Sequence, residues 1–546
     1  MLNKNRSKDK KEKVTWLMKS FPGIFILRSS NIFLGFMLAF LVGVVVRLLI
    51  NISEFVEVLL WSGLLIGLVV YFFKYANLKI LLGLFALFGL IIGIVRTDLS
   101  IEKSVGWLDM KYDGIGRVVR FAEPKDSYQR IYMEIEGQKL NIQTGNIIKQ
   151  KETVLFFAPL GVNYEYGESY KLECELKTAE NKYEKFNYIR FLAGKKVYQI
   201  CSRAKVGDKV EIELNKANNY SGVIPVVIEV EAFLKEFKSK IFRVIYKLSK
   251  ILEEKMNQLF PMPESAYLAG LLLGGDNRLP EDVAEDFRKT GTTHTVAVSG
   301  YNITILANVF LWIGIGIGLW RKQAFWFVIG CIGIFVIMVG APSSAVRAGI
   351  MGVILLYAAQ TGRLANSVRV IILTAAVMIF ISPFIVLYDV GFQLSFLATL
   401  GIVLIYGPLS EKFKIENDFI GIKSIILVTI SAQLGVLGVL IYTFESISLI
   451  SLLANIIILP ALPVIMLGGA LAVGSSFVLN VLGDIFVLPT WAMLYLEILS
   501  IKYLAKIPWA IIEFKGVSIW WSIGYYMLLS GVLIIFNSFK KMTNIK

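Results

Sequence analysis

The chain has 546 residues, of which 56% are hydrophobic and only 18% are charged, and its formal net charge is +15. A soluble chain carries about 25% charged residues, so this composition excludes an ordinary soluble enzyme and indicates an α-helical protein that crosses a membrane many times. One histidine and three cysteines exclude a metal centre built from several such ligands, and there is no phosphate-binding loop motif. We therefore expect no metal, no cofactor and no built-in ATPase.

The chain begins with a basic segment, residues 1–31, which we expect in the cytoplasm because positive charge collects on that side of a membrane span. Residues 32–96 contain three apolar runs long enough to form transmembrane helices. Three crossings from a cytoplasmic start carry the chain to the outer side of the membrane.

Residues 100–215 have no long apolar runs and alternate between apolar and polar residues, which indicates short β-strands. We expect turns at 136–138 and 206–210, and five or six strands favour a small extracytoplasmic OB-like barrel. Cys174 and Cys201 lie in this domain. An oxidising exterior permits a disulfide between them, and two buried unpaired thiols are the alternative.

Residues 225–290 are predicted to form amphipathic helices at the membrane interface, with an apolar stripe beside lysine and arginine; a linking helix with a solvated basic side is the alternative. Residues 295–537 hold nine further spans, about twelve in total, and residues 538–546 form a cytoplasmic tail. Both termini are then cytoplasmic. The prolines and glycines of 447–479 either break that span beside a polar cavity or kink it.

A polar block over 276–304 leads directly into one of these spans. Serine and asparagine within a span face protein or a cavity, because lipid offers them no partners, so we expect the block to line a hydrated path. Several ionisable residues within the spans lie near span ends, where a long side chain can reach the headgroups; we expect Arg347 and Gln393, more than Asp484 and Glu497, to face the interior. The candidate path residues are His294, Ser299, Gly300, Asn302, Arg347, Asp389, Gln393 and Ser395.

Several motifs resemble the ComEC-type competence protein family. They are LLLGGD (271–276), THTVAVSG (293–300), AVRAGIM (345–351), GFQLSFLATLG (391–401) and FNYIRFL (186–192). The resemblance implies a bacterial inner-membrane channel that admits single-stranded DNA during natural transformation, with an outward OB-like domain before a polytopic competence domain. It also implies a DNA-receptor protein outside and a DNA helicase or translocase in the cytoplasm as partners, and self-association is left open.

This chain departs from the family pattern in two respects. Ser299 and Gly300 are followed by Tyr301 and Asn302, where the family commonly has leucine and histidine, so a role for a second imidazole is in doubt. Many members also carry a metallo-β-lactamase-like domain with a histidine-rich metal motif. With a single histidine, we expect this chain to lack that domain.

As a channel, the protein is expected to have no enzymatic activity. Two other functions are alternatives to the channel. One is an intramembrane hydrolase with Ser299 as nucleophile and His294 as base, which their five-residue separation disfavours because helical neighbours are three or four residues apart. The other is a small-solute transporter that uses the interruption within 447–479.

Overall fold

The computed structural model describes residues 29–73, 78–120, 122–124, 127–140, 146–162, 164–181, 185–210, 225–274, 278–296, 298–363, 366–413 and 421–543. The predicted basic segment 1–31 therefore lies almost wholly outside the described residues, as does the end of the 538–546 tail. The chain divides into two compact units. One comprises Met1–Lys103 and Arg369–Leu387, and the other comprises Ser104–Val368 and Tyr388–Lys546.

Helices make up most of the described residues, and ten of them are long and apolar enough to cross a membrane. Two of the twelve predicted spans contain only shorter apolar helices, Val56–Val69 and Ser367–Ile381. In chain order the helices are α1 (Ser29–Leu49), α2 (Glu54–Phe73), α3 (Leu78–Ser104), α4 (Tyr188–Gly194), α5 (Pro225–Leu259), α6 (Glu264–Leu273), α7 (Glu281–Lys289), α8 (Thr293–Val296), α9 (Gly300–Gly316), α10 (Arg321–Met338), α11 (Ser343–Gln360), α12 (Ser367–Ile381), α13 (Ile385–Tyr388), α14 (Val390–Gly401), α15 (Gly407–Lys412), α16 (Ile422–Phe444), α17 (Ser451–Ser476), α18 (Asn480–Ala505) and α19 (Ile519–Thr543), with a π-helical segment, Ile402–Tyr406, between α14 and α15.

The first unit packs α1 against α3 at very short range. A Cβ atom on Gly43 would collide with the Leu90 carbonyl, so only glycine permits this approach. The Arg96 Nε atom donates a hydrogen bond to the Phe380 carbonyl at 2.7 Å, which attaches α12 to α3. The structure thus groups 369–387 with the first three helices, whereas the sequence division assigned that segment to the 295–537 domain.

The second unit begins with a five-stranded barrel. Its strands are β1 (Met110–Val118), β3 (Tyr128–Leu140), β4 (Ile147–Pro159), β5 (Ser169–Thr178) and β6 (Val197–Lys209), with a short β2 (Glu123–Pro124) added at β3. The sheet runs β1-β5-β6-β4-β3-β2, and a further pairing of β1 with β3 closes the barrel. The β4–β6 pair is parallel and the others are antiparallel. Alternate residues fill the interior, as the period-two pattern predicted.

Both predicted turns within this domain are wrong. Strand β3 continues through Gly137, which pairs with Gln150 of β4. A Cβ atom on Gly137 would collide with the Glu152 carboxylate, so this glycine allows a close approach within the barrel and does not form a turn. Strand β6 likewise continues to Lys209, which pairs with Tyr170, and residues 211–215 lie outside the described residues. Cys174 and Cys201 are joined by a disulfide between β5 and β6.

The segment 225–290 contains one long helix and two short ones. Helix α5 ends at Leu259, just before Pro261. Helix α6 is buried along almost its whole length, so it is a core element without the exposed polar face of an amphipathic helix. Tyr267 and Leu268, at its centre, belong to the main hydrophobic cluster of the second unit.

Of the two alternatives for 447–479, a break is excluded, because α17 is a continuous helix that contains both Pro460 and Pro463. Each proline removes one backbone hydrogen bond from the helix. At the connection between α17 and α18, a Cβ atom on Gly483 would lie 2.8 Å from the Ser476 Cβ atom, so the two helices approach closely there. The small-solute transporter hypothesis loses the feature on which it rested.

The barrel is attached to a two-stranded sheet in the second unit. Strands β7 (Ser446–Ser448) and β8 (Ile511–Glu513) pair beyond the end of α16. Lys185, in the loop before α4, forms a salt bridge with Glu445 and donates a hydrogen bond to the Val517 carbonyl at 3.0 Å. This contact fixes one side of the barrel onto the helical part of the same unit.

Candidate functional site

The polar block before α9 is mostly a packed turn. Thr290, Thr292 and Thr295 are buried, and the Thr290 and Thr292 hydroxyl oxygens are 2.8 Å apart. Gly291 has φ of +69° and a Cβ atom there would lie 2.8 Å from the Ser451 Cβ atom. These threonines satisfy one another and the backbone, so the prediction that the whole block lines a hydrated path is wrong for them.

His294 and Ser299 each bond locally. The His294 Nδ1 atom lies 3.2 Å from the Gly291 carbonyl oxygen, and the side chain is exposed. Ser299 caps α9: its Oγ atom accepts from the Asn302 amide at 3.4 Å and donates to Asn302 Oδ1 at 3.1 Å. Buried Asn302 in turn donates to the Leu271 carbonyl at 3.4 Å. The nucleophile and base of the hydrolase hypothesis thus have separate partners, which disfavours it.

The N-terminal ends of α9, α11 and α14 lie together. The Ser344 hydroxyl, in the first turn of α11, donates to the Val298 carbonyl just before α9 at 2.9 Å. A Cβ atom built on Gly391 of α14 would lie 3.4 Å from the Ser343 hydroxyl oxygen. Each helix N-terminus carries a partial positive charge of about half an elementary charge, so their convergence favours an anion.

Arg347 adds a full charge at this convergence. Its side chain is only 9% exposed and its guanidinium donates to the Thr399 hydroxyl on α14. The guanidinium carbon is 5.8 Å from the Phe396 ring centroid, and Nη2 is 3.6 Å from the Cβ position of Gly300. Nε has no hydrogen-bond partner among the described residues. A buried cation with unused hydrogen-bond donors has a high free-energy cost unless an anion or a polar group binds to it.

The remaining predicted residues lie on α14. Asp389 caps this helix, because its carboxylate accepts from the Phe392 amide at 3.0 Å. Gln393 and Ser395 follow in the next turn and are half-buried. The structure therefore brings Ser299, Gly300 and Arg347 together with the start of α14. Thr399 was missed, although its position four residues after Ser395 places it on the same helical face.

A second buried polar contact lies between α6 and α18. The Glu497 carboxylate accepts a hydrogen bond from the Tyr267 hydroxyl at 2.9 Å, and Glu497 is only 3% exposed. Glu497, which we expected to face the interior less than Arg347, is therefore buried, whereas Asp484 is exposed close to the start of α18. The Tyr267 partner was not predicted, because it lies 230 residues away along the chain.

The fold and the site together define a class of protein. It is a membrane protein of many helices, with a five-stranded barrel and a buried arginine at converging helix ends. Residues 271–539 match the family model described as Competence protein. ComE operon protein 3 of Bacillus subtilis (strain 168) is 28% identical over 228 residues, which cover 42% of this chain and 28% of that protein. No solved structure matches the chain.

These matches confirm the resemblance: residues 271–539 form a Competence protein domain of the ComEC type. The domain contains every candidate path residue, from His294 to Ser395. The matched region spans less than a third of the length of the curated relative.

Proposed function

We propose that this protein is a channel in the bacterial cell membrane that takes up single-stranded DNA during natural transformation. The observation that carries the proposal is Arg347, a buried guanidinium at the joined N-termini of α9, α11 and α14. A phosphodiester is the anion that such a site suits, because both helix ends and guanidinium groups bind phosphate. The competence family match supports DNA as the source of that phosphate.

The proposal assigns the remaining parts of the chain as follows. The protein crosses the membrane about twelve times with both termini in the cytoplasm, and the barrel is an OB-like domain outside the cytoplasm. Its five strands, closed in Greek-key order, support the OB-like assignment. The chain conducts DNA without cleaving it, with a DNA-receptor protein outside and a cytoplasmic helicase or translocase as partners.

Transport requires a change of conformation. Arg347 is nine-tenths buried and Asn302 is fully buried, so a strand reaches them only when the N-terminal parts of α9, α11 and α14 separate. The contacts that must open include the Arg347–Thr399 hydrogen bond and the contact of Arg347 with the Phe396 ring, both between α11 and α14. We therefore place the gate of the channel at this arginine.

The test is uptake of labelled DNA into the cytoplasm by a deletion strain complemented with variants of the gene. We expect deletion to abolish uptake and Arg347→Gln to lower it about ten-fold, since one neutralised phosphate contact and one gate contact are lost. Arg347→Lys should retain part of the activity because it keeps the charge. The matched control is Arg363→Gln, an exposed arginine just after α11.

Undiminished uptake in the deletion strain would overturn the proposed function. Equal uptake by the Arg347→Gln and Arg363→Gln variants, at equal amounts of protein in the membrane, would overturn the assignment of Arg347 to the path.

A further inference from the structure

A cluster of cations and aromatic rings lies on the outer face of the barrel beside α4. The Arg120 guanidinium carbon is 4.9 Å from the Tyr132 ring centroid, and the Lys195 ammonium is 4.8 Å from the Phe191 ring centroid. The Arg120 guanidinium also donates a hydrogen bond to the Lys195 carbonyl, which fixes the two residues side by side. Among the described residues, these two cations contact aromatic rings and a backbone carbonyl, and neither forms an ion pair with a carboxylate.

The position of the cluster is electrostatically unfavourable without a ligand. Burial lowers the pKa of Arg120, and burial is also the main cause that lowers the pKa of Lys195. Arg120 and Arg130 lower the Lys195 pKa further, while Glu123 and Asp389 raise it. Two partly desolvated cations held next to each other repel, and an anion placed between them recovers that free energy.

The two neighbouring carboxylates have other partners. Glu123 accepts a hydrogen bond from the Tyr132 hydroxyl at 3.3 Å and lies 3.9 Å from an Arg130 guanidinium nitrogen. Asp389 is occupied by the Phe392 amide at the start of α14. Among the described residues, neither carboxylate forms an ion pair with Arg120 or Lys195, so an external anion can bind both cations directly.

Aromatic side chains adjoin the cations. Phe186 and Tyr188 pack against Phe191, with ring centroids 5.3 and 6.4 Å apart, and all three rings are half-buried. They come from the segment 186–192, which leads into and forms α4. Rings beside cations are the combination with which proteins hold single-stranded nucleic acid without reading its sequence.

One residue of the candidate path acts electrostatically on the cluster. The charge of Asp389, which caps the start of α14, raises the pKa of Lys195. Asp389 and Arg347 both belong to the helix ends that converge at the candidate site. Both sites lie in the same compact unit.

We propose that Arg120 and Lys195 form a phosphodiester-binding site, with Phe186, Tyr188 and Phe191 as the adjacent surface for stacked bases. Under the proposed function, on which this last step rests, the site delivers a single strand from the barrel to the gate at Arg347. The ligand is recognised by its phosphates and by the flat faces of its bases, whatever the sequence.

The test measures binding of a short fluorescent oligothymidylate to the full chain in nanodiscs of zwitterionic lipid, as a function of salt. Single-stranded DNA contributes a slope of about 0.7 per neutralised phosphate to the dependence of log affinity on log salt. The Arg120→Gln/Lys195→Gln variant should therefore reduce the slope by about 1.4 and weaken binding about 25-fold at 0.1 M salt. An Arg120→Lys/Lys195→Arg variant keeps both charges and should keep most of the affinity.

The matched control is Lys171→Gln, which removes an exposed lysine of the barrel that is paired with Glu173 at 3.2 Å. We expect this control to leave the slope unchanged within about 0.3. An abasic oligomer should bind more weakly than oligothymidylate by about ten-fold, because it lacks the stacked bases. Inorganic phosphate should compete with both oligomers; competition without any effect of the bases would overturn the assignment of the aromatic surface.

An unchanged slope and affinity in the double glutamine variant, with an unchanged thermal unfolding midpoint, would overturn the phosphate site. If Arg120→Gln lowers that midpoint, the single variant Lys195→Gln decides, because the hydrogen bond that Arg120 donates is accepted by the Lys195 backbone carbonyl and not by its side chain. If the double glutamine variant loses binding but the deletion strain takes up DNA normally, the phosphate site stands and the proposed function fails. If the variant binds normally but deletion abolishes uptake, the proposed function stands and the phosphate site fails.

Discussion

Replacement of Glu152 by glutamine should make the stability of the barrel insensitive to pH near neutrality. Glu152 is 3% exposed on the inner face of β4, and neither carboxylate oxygen has a hydrogen-bond partner among the described residues. Burial raises the pKa of this carboxyl to about 8. The folded barrel therefore keeps a proton on Glu152 at a pH where an unfolded chain has lost it.

The sign and size of the effect follow from that difference. Below the ordinary pKa of 4.5, both states are protonated and the full stabilisation is present. As pH rises from 4.5 to about 8, the unfolded chain binds fewer protons than the folded one, so the free energy of unfolding falls by up to about 1.4 kcal/mol per unit. Between pH 6 and pH 8 the loss is about 2.3 kcal/mol, a factor of about 50 in the unfolding equilibrium.

Amide hydrogen exchange of β3 and β4 in the full-length protein measures this loss, after correction for the intrinsic exchange rate at each pH. The parent protein should lose about 50-fold protection from pH 6 to pH 8, and Glu152→Gln should lose almost none. Glu175→Gln, which removes a half-buried carboxylate paired with Lys177, should behave like the parent. The same pH dependence in Glu152→Gln as in the parent would refute the reasoning.

Two further predictions concern packing and attachment within the second unit. A Cβ atom on Gly435 would collide with the Leu397 carbonyl, so Gly435→Ala should destabilise the α14–α16 contact by about 1–3 kcal/mol and lower the thermal unfolding midpoint. The control Gly352→Ala should not lower the midpoint, because nothing lies within 4 Å of the Cβ position there. Equal midpoints for the two variants would contradict this prediction. Lys185→Glu and Glu445→Lys should each weaken the attachment of the barrel, and the double exchange should recover about 0.2–1 kcal/mol in a double-mutant cycle of exchange protection. A coupling of zero would show that the pair does not hold the barrel.

Periodicity in the sequence predicted the strands and the helices well, because burial imposes it directly. Alternation over 170–176 matches β5, and Pro261 comes just after the end of α5. Residues with more than one physical use were misjudged. Gly137 fitted a turn by composition but serves to admit Glu152, and Pro460 suggested a break in a helix that is continuous.

The candidate site was predicted in part, for a similar reason. A polar residue in an apolar run is visible in the sequence, so Arg347, Asp389 and Ser299 were found. Whether such a residue caps a helix, packs in a turn or faces a ligand depends on partners far away along the chain. The Arg347 partner Thr399 is 52 residues distant and the Tyr267 partner of Glu497 is 230 residues distant.

Net charge is a poor guide to where this protein would meet a polyanion. The net charge of +15 is the difference between 56 lysines and arginines and 41 acidic residues, and some of these cations are neutralised locally by a carboxylate, such as Lys171 and Lys209 on the barrel. What attracts phosphate is a cation that the fold has partly desolvated and left without a carboxylate. Arg120, Lys195 and Arg347 meet that condition among the described residues, and they lie in one compact unit. A channel for DNA thus needs few such cations, provided that each one becomes accessible in turn as the strand advances.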